Sequence, residues 1–459
     1  MKTRIVLSFT LFAMSSAQAI AAPVVQQMEN KTDRIIVRYH EQPTEGNAMA
    51  FIKQGVTHGG FGVATGKRKD VLKIGATLDI NDVKTLADSL ESDPQVAFAE
   101  PDYKMYTMLV PNDSRYNEQW HLFEAIGGIN APKAWNITTG SSDIVVAVVD
   151  TGIRRGHLDI SQKLEAGYDF IDTLSIANDG SRRDADPSDP GDAAFAGECG
   201  ASIPASNVNS SWHGSHVAGT IAASTNNGTG VAGVSWGARI LPLRALGTCG
   251  GYTSDIIDAI RWAAGLKVMG VPSNMNPAKI INLSLGGSGQ CSQSYQDVIN
   301  EVTRAGVNVV VAAGNSSQNV LFSQPANCNN VISVAATNRQ GNLSSYSNFG
   351  ALVDIAAPGG GVDTIYNGVL SLSNTGTDAP SVNTYKYLRG TSMAAPHVAG
   401  VLALMYSLRP NLSPARAEQL IKMHARNFPI TSNCRGVNSC GQGIVDAAAV
   451  LQAVKKEPQ

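Results

Sequence analysis

The pattern of apolar residues divides the chain into two parts. From about residue 140 onward, short and nearly continuous apolar runs rich in Val and Ile recur, among them DIVVAVVDTG, KIINLSLGG and VNVVVAAGN. Strands that are buried on both faces of a parallel sheet have this composition. Helical stretches such as SDIIDAIRWAAGL and AAPHVAGVLALMYSL alternate with these runs. The alternation predicts an α/β fold with a doubly wound, mostly parallel sheet and helices on both faces.

Residues 32–108 carry a different pattern, which predicts a small α+β unit. RIIVRY and VLKIG are strand-like, and NDVKTLADSL has apolar residues at helical spacing with Asn81 as its expected N-cap. The polar, proline-containing stretch MLVPNDSRYNEQW comes next and is typical of a domain boundary. We therefore expect one domain over residues 22–108 and a larger domain over residues 109–459.

The first 21 residues have the pattern of a secretory signal peptide. Lys2 and Arg4 precede an apolar run that ends near Met14, and small residues follow, including Ala17-Gln18-Ala19. The run is too short to be a permanent membrane anchor. An ordinary buried helix is the alternative interpretation. The sequence thus predicts a secreted, soluble protein.

Composition excludes some partners, and export changes how the cysteines are interpreted. Of the 459 residues, 43% are hydrophobic and 16% are charged, with a net charge of −2, so nothing suggests binding to nucleic acid or anionic lipid. Cysteines of exported proteins usually form disulfides, although six cysteines allow many pairings. Pairing of neighbours along the chain is the simplest arrangement: Cys199 with Cys249, Cys291 with Cys328, and Cys434 with Cys440.

Polar side chains follow two of the predicted strands at their carboxyl ends. Asp150 ends the run VVAVVD, and Asn315 ends VVVAAGN. Functional groups of open parallel sheets gather at this edge, although each residue alone could equally be a turn or capping residue. His213 begins a small-residue helix and can reach the loops, whereas His216, three residues further on, is expected to pack inside.

Ser392 lies at or next to a helix N-terminus, where backbone N–H groups point outward. We expect Pro396 to be tolerated there, because amides of the first helical turn have no intrahelical partner. His397 lies five residues beyond Ser392, about 500° of rotation and roughly 7.5 Å of rise away. It therefore points elsewhere and cannot be the base that activates Ser392.

These residues together supply the parts of a nucleophilic hydrolase. A serine hydroxyl needs an imidazole to take its proton, and the imidazole needs a carboxylate to hold its tautomer. The oxyanion of the tetrahedral intermediate needs donors, for which the Ser392 backbone N–H and the Asn315 amide are candidates. The order Asp150, His213, Ser392 is one of the known orders of this triad.

The motifs VVDTGI, HGSHVAGTIA, SLGG, AAGN and GTSMAAPHVAG occur in an order that resembles the subtilisin-like serine endopeptidases. The resemblance covers residues 112–450. It implies Asp150, His213 and Ser392 as the triad and Asn315 as the oxyanion donor. It also implies that two segments pair with an extended peptide substrate: SLGG, which is Ser284, Leu285, Gly286 and Gly287, and GTCGGY, which contains Gly250 and Gly251.

The same resemblance implies that residues 22–108 are a propeptide, a folding template and transient inhibitor that the enzyme removes by self-cleavage near residues 105–110. Parallel sheets with distant strand pairings fold slowly, which gives such a template a physical motive. Cys249 lies within the second substrate segment and departs from the simplest family members. A Cys199–Cys249 bridge would stiffen one wall of the cleft.

Calcium is the expected cofactor, and no organic cofactor is implied. DADPSDPGD contains four clustered carboxylates that a hard cation could bind, unless the loop is simply solvated: Asp184, Asp186, Asp189 and Asp192. The family resemblance implies a second site in and around the loop STNNGTGV. Its expected ligands are Asp113, Asp159, either Asn226 or Asn227, and backbone carbonyls including that of Val231.

The sequence thus predicts a secreted, monomeric serine endopeptidase that acts on polypeptides and is made as a self-cleaving precursor. One alternative is a catalytically impaired binding protein of the same fold, which the complete set of four catalytic positions disfavours. A second is a serine esterase for small substrates, which the paired cleft segments and the propeptide disfavour.

Overall fold

The computed structural model describes residues 31–40, 56–57, 70–103, 109–200, 204–434 and 440–458. The predicted signal peptide over residues 1–21 lies outside these ranges, as do residues 104–108 of the expected cleavage region. Residues 22–108 are described only in part, so the proposed domain limits stay predictions.

The described strands are named in chain order: β1 (Lys31–Tyr39), β2 (Val56–Thr57), β3 (Asp70–Asp79), β4 (Val96–Pro101), β5 (Val145–Asp150), β6 (Tyr168–Asp169), β7 (Arg239–Arg244), β8 (Ile280–Leu283), β9 (Gly287–Ser288), β10 (Asn308–Ala312), β11 (Ser323–Gln324), β12 (Ile332–Thr337), β13 (Ile355–Pro358), β14 (Val369–Asn374) and β15 (Asn383–Leu388).

The described α-helices are α1 (Ile80–Leu90), α2 (Trp120–Phe123), α3 (Ala131–Trp135), α4 (Leu174–Ala177), α5 (His213–Ala222), α6 (Thr253–Ala263), α7 (Gln293–Arg304), α8 (Thr391–Leu408), α9 (Pro414–Met423) and α10 (Ala447–Val454). Short 3₁₀ turns lie at Tyr116–Glu118, Ser161–Lys163, Val320–Phe322 and Ile365–Asn367.

The central sheet has the strand order β13-β12-β10-β8-β5-β7-β6, and every pairing in it is parallel. Both faces are covered. Val146 and Val148 of β5 belong to the apolar core that contains α5 and α8, whereas Val145, Ala147 and Val149 belong to the core that contains α6 and α7. The predicted doubly wound α/β fold is confirmed. The order β8-β5-β7 brings the carboxyl ends of non-consecutive strands to one edge.

Helix α8 passes through the protein interior. The helix has 18 residues and is long and apolar enough to cross a membrane, but 83% of its residues are buried inside the protein. It contacts α5 and the strands β8, β10, β12 and β13. We therefore interpret it as a core helix.

The N-terminal part forms a separate antiparallel sheet of order β2-β3-β1-β4, against which α1 packs. Val83 and Ala87 of α1 share its small core with Ile35, Val37 and Leu72. The predicted α+β unit is thus present.

The N-cap expected for α1 was wrong. Asp79 caps the helix, and its carboxylate accepts a hydrogen bond from the backbone N–H of Asn81 at 3.1 Å. Asn and Asp have similar N-cap preferences, so a pattern with both residues nearby does not decide between them.

Candidate active site

Asp150 is the last residue of β5, and the strand carries it into a fully buried position. All six residues of β5 are buried, and Asp150 is 0% exposed. Its Oδ1 accepts hydrogen bonds from the Thr151 backbone N–H at 2.8 Å and from His213 Nδ1 at 2.7 Å. This arrangement fixes the carboxylate and places the Nδ1 proton of His213 toward it.

His213 is the first residue of α5, and a glycine lets that helix approach β5 closely. A Cβ atom on Gly214 would lie 2.1 Å from the carbonyl oxygen of Gly152 and 3.1 Å from Cβ of Asp150. The His213 side chain is 21% exposed. Burial lowers the pKa of His213, but the Asp150 carboxylate and the hydrogen bond to it outweigh burial, so the pKa is raised above its ordinary value.

Ser392 lies in the first turn of α8, facing the loop after β8. Its hydroxyl donates to the carbonyl oxygen of Ser284 at 3.1 Å rather than to His213. Pro396 lies within the helix, not at its start as the sequence suggested, and so it cannot donate to the Ser392 carbonyl. The Ser284 hydroxyl donates to that carbonyl instead, at 2.8 Å. The two serines are thus joined by a reciprocal pair of hydrogen bonds.

Asn315 follows β10, and hydrogen bonds from Thr391 fix the orientation of its side chain. Its Oδ1 accepts from both the backbone N–H and the hydroxyl of Thr391, at 2.8 and 3.0 Å. Because the oxygen is held in this way, the NH₂ end of the amide is the end left to donate to another group. Asn315 and Ser392 line one cavity of about 360 Å³.

The predicted substrate segments line a cleft together with the histidine. A cavity of about 640 Å³ is lined by His213, Gly250, Gly251 and the segment 284–287. The same segment also lines the cavity beside Ser392, so it borders both spaces. His213 thus lines the larger cavity and Asn315 and Ser392 line the smaller one, while Asp150 lies buried behind His213.

The three disulfides are present and pair neighbours along the chain: Cys199–Cys249, Cys291–Cys328 and Cys434–Cys440. Cys199 and Cys249 both line the larger cavity, so their bridge forms part of the cleft wall.

The other histidines of the motifs lie in the core. His216 Nε2 lies 3.0 Å from the carbonyl oxygens of Val369 and Lys386. His397 Nδ1 lies 2.8 Å from the Met393 carbonyl, and its Nε2 lies 2.7 Å from Nδ1 of His121. Sequence reasoning missed His121, because a lone histidine in a four-residue helix gives no periodic signal. Burial lowers the pKa of His216 to about 3 and that of His397 to about 4.

The structure does not support the cation site expected in the acidic loop. Within the described ranges, no group of three or more His, Cys, Asp or Glu side chains is placed to hold a metal ion. Each carboxylate has its own protein donors instead. Asp184 accepts from the Asp186 N–H, Asp186 from Ser188, Asp189 from Thr151 and Gly191, and Asp192 from Ser211.

The loop of the second predicted cation site contacts both of its expected carboxylates. Asp113 and Asp159 are 5% and 0% exposed, and Oδ1 of Asp113 is buried without a hydrogen-bond partner. Asp159 accepts from Asn227 Nδ2 at 2.8 Å and from the Val231 N–H at 2.9 Å, while Asn226 contributes its backbone N–H to Asp113. Burial raises the pKa of both carboxyl groups, and the two carboxylates also repel each other. An unpaired buried carboxylate oxygen beside a second carboxylate fits a hard cation.

Residues 141–444, more than half of the chain, match the sequence profile of the subtilase family. The chain belongs to the subtilase family. An extracellular protease of Xanthomonas campestris is 49% identical over 385 residues, which are 84% of this subtilase and 64% of that protein. An extracellular basic protease of Dichelobacter nodosus is 44% identical over 373 residues, which are 80% of this subtilase and 60% of that protein.

A solved structure of a protease from Pseudoalteromonas arctica is 51% identical in sequence and superposes with a TM-score of 0.72. The match covers 75% of this subtilase and 100% of the Pseudoalteromonas chain. This likeness agrees with the parallel sheet and its flanking helices. The subtilase spans less than two thirds of the length of the Xanthomonas and Dichelobacter relatives.

Proposed function

We propose that this subtilase is a secreted serine endopeptidase that hydrolyses polypeptides through Asp150, His213 and Ser392, with Asn315 as oxyanion donor. The observation that carries the proposal is the 2.7 Å hydrogen bond between the buried Asp150 carboxylate and His213. The cavity of His213 and the cavity of Ser392 and Asn315 share the segment 284–287 as lining. Relatives that are named extracellular proteases support both the activity and the secretion.

The proposed reaction begins when the Ser392 hydroxyl leaves the Ser284 carbonyl and turns toward Nε2 of His213. Active-site hydrogen bonds are often loose in the absence of substrate, so this rotation is compatible with the geometry. His213 takes the hydroxyl proton while Oγ attacks the substrate carbonyl carbon. The imidazolium that forms is stabilised by the Asp150 carboxylate, which stays ionised.

The negative oxygen of the tetrahedral intermediate would accept hydrogen bonds from Asn315 Nδ2 and the Ser392 backbone N–H. His213 then gives its proton to the leaving amine, and an acyl-enzyme forms on Ser392. Water attacks the ester with His213 again as the base, which releases the acid product and restores the serine.

Peptides are better supported as substrates than small esters. The segments around Gly250 and Ser284–Gly287 both line the cavity of His213, where their backbones could pair with an extended chain. Residues 22–108 are proposed to act first as a folding template and then as an inhibitor that self-cleavage removes.

Calcium is proposed as a structural cofactor at Asp113 and Asp159. When bound, the ion would supply positive charge to carboxylates that otherwise repel each other. Asn227 and backbone carbonyls of the 225–231 loop would complete the oxygen set, because calcium takes about six to eight oxygen ligands. It takes no part in the proposed bond cleavage.

Replacing Ser392 by alanine tests the proposed function. Ser392→Ala should abolish casein hydrolysis and leave a full-length precursor, because both reactions need the same nucleophile. Ser407→Ala is the matched control, since Ser407 lies on the same helix but bonds to Thr138 and Leu404, away from the cleft. SDS gels and mass spectrometry of the secreted protein report processing. A correctly processed, active Ser392→Ala protein would exclude the mechanism.

A further inference from the structure

The acidic loop, which the proposed catalytic chemistry leaves unused, makes specific contacts to the start of α5. This helix begins at His213, and the side chain of the residue before it, Trp212, makes no capping hydrogen bond. The first N–H groups of a helix have no intrahelical partner and need acceptors from elsewhere. In this protein two hydroxyl groups accept from them, and each hydroxyl is in turn bound to a carboxylate of the acidic loop.

Asp192 holds the first of these hydroxyls. Its Oδ1 accepts from the Ser211 backbone N–H at 2.6 Å, and its Oδ2 accepts from the Ser211 hydroxyl at 2.7 Å. The Ser211 oxygen accepts in turn from the backbone N–H of His213 at 3.2 Å. Because the Ser211 hydroxyl donates its hydrogen bond to the carboxylate, the oxygen lone pairs are left to face the helix.

Asp189 holds the second hydroxyl in the same way. The Thr151 hydroxyl donates to Asp189 Oδ2 at 2.7 Å and accepts from the Gly214 N–H at 3.0 Å. Asp189 is 0% exposed, and its Oδ1 is occupied by the Gly191 N–H at 2.9 Å. Thr151 directly follows Asp150, so this branch joins the end of β5 to the start of α5.

The turn of the β14–β15 hairpin supports the loop from behind. Gly191 has φ +109°, and a Cβ atom there would lie 2.0 Å from the carbonyl oxygen of Asp378. Ser210 donates its backbone N–H to Thr377 at 2.8 Å, and Trp212 Nε1 donates to Gly376 at 2.9 Å. The residues that precede His213 are therefore held between the acidic loop and the hairpin.

We propose that Asp189 and Asp192 are positioning residues that hold His213 in register with Asp150, and that Asp192 also adds negative charge beside it. This inference rests on the proposed function, since it assigns a role toward the proposed base. The motif DPSDPGD thus contacts the segment that carries the proposed base. Each carboxylate acts through one hydroxyl, Thr151 or Ser211, on one backbone N–H of α5.

The charges around His213 give this role a measurable signature. The titratable groups that face it are Asp150 from β5, Asp189 and Asp192 from the loop, and His216 from α5 itself. Ser392, from α8, is uncharged. Arg154 belongs to the same region, since its guanidinium donates to the Asp189 carbonyl and lies 5.7 Å from the centre of the Trp212 ring. After Asp150, the loop carboxylates are the groups that raise the pKa of His213.

Asp192→Asn tests the charge, and Ser211→Ala tests the hydrogen-bonded link. Asp192→Asn keeps the size of the side chain and an acceptor for the Ser211 N–H. Its NH₂ group cannot accept from the Ser211 hydroxyl, but it can donate to the Ser211 oxygen and so keep the two side chains linked. The acidic limb of its kcat/KM profile should move to lower pH by roughly half a pH unit, the effect of one partly screened unit charge. Ser211→Ala should lower kcat about tenfold at nearly unchanged KM, because the base loses its register.

Two controls separate positioning from general effects. Asp186→Asn removes a charge from the same loop, but that side chain is 63% exposed and bonds to Ser188 and Arg155, so the pH profile should not move. Ser211→Thr restores the hydroxyl and should restore kcat. All variants are compared by thermal melting and by titration with a serine-directed inhibitor, which counts intact active sites.

The proposal is overturned if Asp192→Asn leaves the acidic limb in place, or if Asp186→Asn moves it equally. It is also overturned if Ser211→Ala keeps wild-type kcat, or if Ser211→Thr fails to restore a lost kcat. These outcomes presuppose an active wild-type enzyme. A wild-type protein that neither hydrolyses peptides nor reacts with the inhibitor would instead refute the proposed function.

Discussion

Replacing His397 by asparagine tests whether the buried histidines remain neutral in the folded protein. Asparagine keeps a donor near the position of Nδ1, which faces the Met393 carbonyl at 2.8 Å, and it removes both the contact to His121 and the titrating ring. At pH 8 the variant should be less stable than wild type by about 1–3 kcal/mol, because a buried hydrogen bond and ring packing are lost.

The informative quantity is how this difference changes with pH. Burial lowers the pKa of His397 to about 4, against an ordinary 6.5 in the unfolded chain. Between these values the unfolded chain binds the proton and the folded protein does not. The stability contributed by keeping this histidine neutral is therefore complete above pH 6.5 and is lost as the pH falls toward 4.

The size of the effect follows from the same shift. At pH 5 the unfolded form of His397 is almost fully protonated and the folded form is mostly neutral, which costs wild type about 2 kcal/mol relative to pH 8. The variant lacks this cost. The stability gap between the two proteins should thus be about 2 kcal/mol smaller at pH 5 than at pH 8.

Urea unfolding at both pH values, followed by tryptophan fluorescence with the active serine chemically blocked, measures the gap. The titratable groups that do not contact His397 are present in both proteins, so their contributions largely cancel in the subtraction. His121 loses its partner, but burial is the main cause that holds its pKa well below the ordinary value. A gap that is the same at pH 5 and pH 8, within about 0.5 kcal/mol, would refute the reasoning, since 0.5 kcal/mol is well under the shift worked from the pKa.

Three further predictions address the site. Asp150→Asn should lower kcat/KM about 10³- to 10⁴-fold, as when a triad aspartate becomes an amide, and should move the acidic limb of the pH–rate profile to lower pH because the carboxylate raises the pKa of His213. An acidic limb that does not move would contradict this prediction. Gly214→Ala places a Cβ atom 2.1 Å from the Gly152 carbonyl oxygen, so α5 must shift and kcat should fall at least about 100-fold while the circular dichroism spectrum stays native. Wild-type turnover would show that the close approach of α5 to β5 is dispensable. Removing calcium with EDTA should lower the melting temperature of wild type and of Asp186→Asn, but it should have less effect on Asp113→Asn, which lacks the unpaired carboxylate oxygen. Equal melting temperatures of wild type with and without EDTA would count against the cation.

The elements that carry Asp150 and Asn315 could be predicted because their apolar runs are long and end abruptly in a polar residue. A parallel sheet brings such ends to one edge, whatever the details of the loops. Helical geometry was also enough to separate His397 from Ser392, and the structure keeps His397 among buried groups. These inferences rest on periodicity, which sequence patterns express directly.

The acidic loop could not be predicted in the same way. Four carboxylates close together in sequence suggest one cation, but Asp184, Asp186 and Asp189 each accept a backbone N–H from two residues further on. Asp is favoured in turns for this reason, so a run of Asp at spacings of two or three residues is also a signal for consecutive turns. The roles of Thr151 and Ser211 depend on distant partners, and their local sequence carries no sign of them.

Pro396 illustrates a different limit. Its missing N–H matters because Ser284, more than a hundred residues away, supplies the donor that the Ser392 carbonyl would otherwise lack. Propensity alone places a proline at the start of a helix, and the exception arises from tertiary contact.

The positions of the candidate catalytic residues along the chain have a consequence for synthesis in the cell. The candidate base follows β5 by about sixty residues, the oxyanion donor follows β10, and the nucleophile arrives only with α8, after every strand of the central sheet has been made. A nascent chain on the ribosome, or a fragment that ends before residue 390, therefore lacks the proposed nucleophile and does not contain the complete triad. On the proposed chemistry, a cell that makes this protein is protected from it until almost the whole domain has been translated.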